Sequence, residues 1–136
     1  MRTIPARYSA VLFILPFFSP PAAAMTELEA ASNVMHFAFA MKEGELCENL
    51  GYPGLAALKR WEETHGAILV KSLARIEDYA AKSKKVTREQ AKDVALGLFF
   101  RNKETFDREM APKLGPKSCG RFGETLRYYE SKLVKD

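Results

Sequence analysis

The chain has 136 residues, 47% of them hydrophobic and 28% charged, with a formal net charge of +4. That length makes one domain and that balance makes a globule, which excludes disordered tails, collagen, coiled-coil rods and multipass membrane proteins. Acids are interleaved with bases along almost the whole chain, which excludes the one-sided cationic face that nucleic-acid binding requires.

Residues 1–24 carry the three parts of a secretory signal peptide: Arg2 and Arg7, an apolar stretch from Tyr8 to Phe18, then Pro20 and Pro21 before Ala22, Ala23 and Ala24. As a helix the apolar stretch reaches only about 16 Å against a hydrocarbon core of about 30 Å, so no stable membrane anchor is expected. Cleavage after Ala24 leaves residues 25–136 as a single domain, located in the periplasm or secreted.

Four helices are expected in that domain. The first opens at Thr26, where Thr26 and Glu29 have capping-box spacing, and runs to about Leu50 with Gly51 as a left-handed cap. Leu28, Ala31, Met35, Ala38 and Phe39 form its main stripe. Val34, Phe37 and Met41 make a second apolar face, which requires either an unusually central helix or a surface for a partner or a second copy of the chain. Glu43, Glu45 and Glu48 crowd its last turns, where the helix dipole disfavours acid. Two accounts fit them: neutralisation by Lys117 and Arg121, or a recognition patch for a basic partner.

The second helix spans about Gly54 to Ala81 with the cleanest period in the chain, including Leu58, Trp61, His65, Leu69, Leu73 and Ile76. A basic cluster, Lys82, Lys84, Lys85 and Arg88, follows it as a solvated turn. A second capping box, Thr87 and Gln90, starts the third helix, whose buried face includes Ala91, Val94, Ala95, Leu98, Phe106 and Met110 before Pro112 stops it. Leu96 and Phe100 lie off that face and join the candidate partner surface. The fourth helix is expected over about Ser118 to Val134. Cys47 and Cys119, an even count in an exported chain, form a disulfide. They fall at one end of an all-α, up-down-up-down four-helix bundle, so the bond and the topology support each other.

Catalytic chemistry has little footing. There is no C-x-x-C-H for covalent haem, no G-x-S-x-G elbow and no glycine-rich phosphate cradle. Glu62 and His65 have E-x-x-H spacing, but the second pair that a di-iron site needs is missing. Met35 with His36, Met41 or His65 is a set from which a haem- or metal-holding bundle could be built, and this is the alternative reading. The leading one expects no enzyme and no cofactor: a small exported protein that binds another periplasmic or extracellular protein. In size, export and helicity the chain is similar to one-disulfide acid-stress chaperones and to immunity proteins that neutralise cell-wall amidases.

Overall fold

The computed structural model describes residues 24–135, so the expected signal peptide lies outside the described residues apart from Ala24. Among them the fold is all-helical: α1 Glu27–Asn49, α2 Gly54–Ser83, α3 Arg88–Thr105, a π-helical turn Phe106–Met110, a 3-10 turn Ala111–Lys113, α4 Pro116–Cys119 and α5 Phe122–Lys132. No described helix is long and apolar enough to cross a membrane.

Both capping boxes form. The Thr26 hydroxyl accepts from Glu29 N at 3.1 Å while the Glu29 carboxylate accepts from Thr26 N at 3.0 Å, and Thr87 and Gln90 repeat the exchange on α3. Each box satisfies amide groups that a helix start leaves unpaired. Gly51 takes the left-handed backbone, φ 89°, immediately beyond α1. The next glycine in the turn has a different role. A Cβ at Gly54 would overlap the Gly44 carbonyl oxygen, so the start of α2 passes α1 at backbone contact.

Helices three and four depart from expectation. The α-helical ladder of α3 gives way at Phe106 to a wider turn in which Ala111 N donates to Phe106 O, five residues back. Pro112, with no amide to donate, sits inside the 3-10 turn that closes the run at Lys113. The expected fourth helix is two pieces, because Gly120 closes the four-residue α4 and the chain turns through Arg121 before α5.

α1 packs against α2, α3 and α5, and α2 packs against α3 and α5. Val34, Phe37, Ala38 and Ala40 are all fully buried, although they point to different sides of α1. Phe37 stacks at 4.8 Å on Trp61, and Phe39 meets Phe106 edge-on at 5.5 Å. The second apolar face is therefore the mark of a central helix. Val34 and Phe37 are core residues and are not available as a partner surface, because the elements packed around α1 already cover them. Met41 is half-buried against the same core.

Two links tie the C-terminal segment of α4 and α5 to α1. Cys47 and Cys119 are joined, with their Cα atoms 5.3 Å apart. Beyond the other end of α5, the fully buried Asn33 side chain grips the backbone of Val134 twice: Nδ2 donates to Val134 O at 2.9 Å and Oδ1 accepts from Val134 N at 2.8 Å. Asn33 Nδ2 also donates to Ser72 Oγ at 3.0 Å, and the Ser72 hydroxyl donates in turn to Ile68 O at 2.6 Å. With Cys119, just before α5, held to the end of α1, and Val134, just past α5, held near the beginning of α1, the two helices run in opposite directions.

These links make two expected outcomes. Thiol titration of the denatured, unreduced protein will find no free thiol, and reduction will lower stability by about 4 kcal/mol, the chain-entropy value for a loop of this size. Asn33→Ala strands the amide and carbonyl of Val134 and will cost about 3 kcal/mol in denaturant melts, with exchange at the C-terminal segment accelerated.

Candidate functional site

The residues singled out in the sequence fall in different environments. Glu43 is buried, Glu45 is exposed and Glu48 is exposed, so the three do not form one acidic patch. Lys117 and Arg121 make no ion pair with any of them. Glu45 instead meets Lys42 at 3.6 Å, and Lys42 reaches Asp107 in the π turn at 3.1 Å. The hydrogen bond from Lys42 to Asp107 is the main cause that raises its pKa. Glu48 Oε2 accepts from Leu55 N at 3.1 Å, so its charge sits on the amide-rich start of α2. The helix that disfavours Glu48 at its own end thereby places it where the next helix favours it.

His65 is buried against Trp61, ring centres 5.3 Å apart, with Nε2 3.2 Å from Glu130 on α5. It is a core histidine with a partner. Its E-x-x-H neighbour Glu62, whose pKa is raised by burial, does not join it, and among the described residues no three of His, Cys, Asp and Glu gather as a metal site.

His36 and Glu43 do come together, in a cavity of about 320 Å³ between α1, the π turn and α5. Met35, His36, Phe39 and Glu43 project into it from an arc of about 100° on α1, as the helical period requires. Met41, the other sulfur of the sequence-derived set, is elsewhere; Met110, carried by the π turn, lines the cavity instead. Tyr128 and Tyr129 line its α5 side and leave it open to solvent, the Tyr129 ring 5.8 Å from His36. Burial is the main cause that lowers the His36 pKa, opposed by its hydrogen bond to Ser32 O at 2.8 Å and assisted by nearby Lys132. Burial pushes the Glu43 carboxyl up to about 7, and its Oε2 has no hydrogen-bond partner. The Tyr129 phenol is pushed up as well, by burial first and then by the charges of Glu43 and Tyr128.

A second concavity, about 240 Å³, lies where α1, α2 and α3 meet. Its floor is apolar, with Ala31, Ile76, Val94 and Leu98. At its rim stand Leu28, 81% exposed, and Tyr79, 40% exposed. Lys84 and Arg101 flank it, while the acid at its edge, Glu27, is engaged by Arg75 at 3.2 Å. Leu96 and Phe100 are exposed as expected, 47% and 57%. They point roughly 200° to 240° away from Val94 around α3, and so form no continuous surface with this groove.

No family model, curated protein or solved structure matches this chain.

The buried carboxyl gives a pH test. Glu43 holds its proton to about pH 7 when folded and releases it near 4.5 when unfolded, so the folded state binds more protons between those values. Its contribution is fully present below about pH 4.5 and is lost as pH rises through about 7, a change of about 3 kcal/mol. Glu43→Gln will therefore melt higher than the parent at pH 8, and the difference will vanish at pH 4. Equal melting at both values contradicts a carboxyl buried without a partner.

Proposed function

We propose that this chain is a small exported, non-enzymatic protein that binds another protein in the periplasm or outside the cell, as an inhibitor, immunity or chaperone module does. Its framework is an up-down-up-down bundle in which α4 leads into α5 as the fourth helix. The disulfide supports export, because such bonds persist in oxidising compartments.

The groove at the α1, α2 and α3 junction carries the reading. A leucine left four-fifths in water at the rim of an apolar floor is a costly arrangement for a monomer, and burying it against a partner contributes about 1.5 to 3 kcal/mol before association costs. The shape suits the apolar stripe of a partner helix. Lys84 and Arg101 favour a helix with acidic residues along its edge, which reverses the basic partner that an acidic patch on α1 would have required.

Leu28→Asp tests this without disturbing the fold, since the position is exposed and an acid in the first turn of α1 is favourable. Capture from a periplasmic extract should retain the same protein on the parent and on Leu96→Asp, and lose it on Leu28→Asp. A protein held equally by all three, lost only with Leu96→Asp, or never captured contradicts the groove. Concentration-dependent sedimentation abolished by Leu28→Asp would make the partner a second copy of the chain.

A further inference from the structure

The cavity at the π turn holds chemistry that the groove does not use. Besides the hydroxyls of Thr125, which donates to Arg121 O at 3.4 Å, and of the two tyrosines, two polar groups stand in its wall. Glu43 is a carboxyl, 3% exposed, with Oε2 unpartnered. His36 donates Nδ1–H to the Ser32 carbonyl at 2.8 Å, which leaves Nε2 as a lone-pair acceptor with no partner among the described residues. With the carboxyl ionised, as at pH 8, both groups accept and neither donates, so the complement is a cation rich in N–H donors. An ammonium group has three donors and one positive charge.

The remaining wall selects what the ammonium is attached to. Phe39, Tyr128 and Tyr129 supply ring faces and edges, and the thioethers of Met35 and Met110 supply soft apolar surface. The Tyr128 ring already has a cation over it, Lys132 Nζ at 5.4 Å from the ring centre. About 320 Å³ is the lower end of the range for cavities that enclose small organic ligands, and far more than one metal ion fills. The π turn that brings Met110 here is also of the kind that recurs at functional sites.

The geometry points to a binding site for a small organic ammonium: a primary amine with an apolar tail of aromatic size, its nitrogen on Glu43 and His36 and its tail between Phe39 and the tyrosine pair. The ligand supplies the counter-charge that the buried carboxyl lacks, and the carboxyl supplies the selectivity for amines over neutral analogues. This site is separate from the groove, from which it takes no residue, so the two readings stand or fall independently.

Titration calorimetry at pH 8 with phenethylamine, phenethyl alcohol and silver(I) tests the assignment on the whole protein. The parent and the exposed-carboxyl control Glu45→Gln should bind one phenethylamine per chain, and neither should bind the alcohol. Glu43→Gln, shown folded by circular dichroism, should bind the amine at least about tenfold more weakly, because it loses a charge-assisted contact in a desolvated site. No amine binding by the parent overturns the proposal, as does equal affinity for the alcohol or an unchanged affinity in Glu43→Gln. Silver binding without amine binding also overturns it, and assigns the cavity to the Met35, His36 and Met110 donors instead.

Discussion

The rest of this structure depends on the burial of α1 over more than half of its circumference. A helix on the surface of a globule needs one apolar stripe, because one side of it meets water. α1 has neighbours on α2, α3 and α5, and it presents Val34, Phe37, Ala38 and Ala40 in different directions, all fully buried. Large side chains cannot point everywhere at once at close packing, so alanines alternate with the bulky residues and Gly44 lets the start of α2 approach to backbone contact. Each other helix then needs only one apolar stripe, which is what α2 and α5 show in sequence.

An axis of this kind fixes the outer elements only if they are held in register along it. Cys47 and Asn33 do this from near the two ends of α1, about 21 Å apart along the helix. One uses a covalent bond to Cys119 and the other a carboxamide that pairs with the Val134 backbone as a neighbouring strand would. α5, only 11 residues long, would be marginal alone and is held at both ends. Between these ties the space beside α1 is filled less tightly, and it is there that the π turn, Glu43 and His36 line an open cavity.

What could be read from the sequence was local. Capping boxes, the left-handed glycine and the proline stop depend on residues within a few positions of one another, and they appear where the spacing put them. The disulfide was legible because only one pairing was possible. Val34 and Phe37 were visible as a second apolar face, but periodicity cannot say whether such a face meets water, a partner or the protein's own helices. Asn33, Glu43 and Gly54 were harder still. A buried amide, a buried acid and a glycine at a helix crossing look like surface or turn residues until their partners, as far as 101 positions away for Asn33, are known. Met110 was expected on a buried helical face, and only the change from α to π winding carries it to the cavity that replaces the sequence-derived set containing Met41.

Native-state hydrogen exchange along α1 tests the central claim most directly. If α1 is the central axis, its amides from Val34 to Cys47 exchange only through global unfolding, with one common free energy. Protection in α1 below that of α2 would show a helix that opens before its neighbours and would contradict the account.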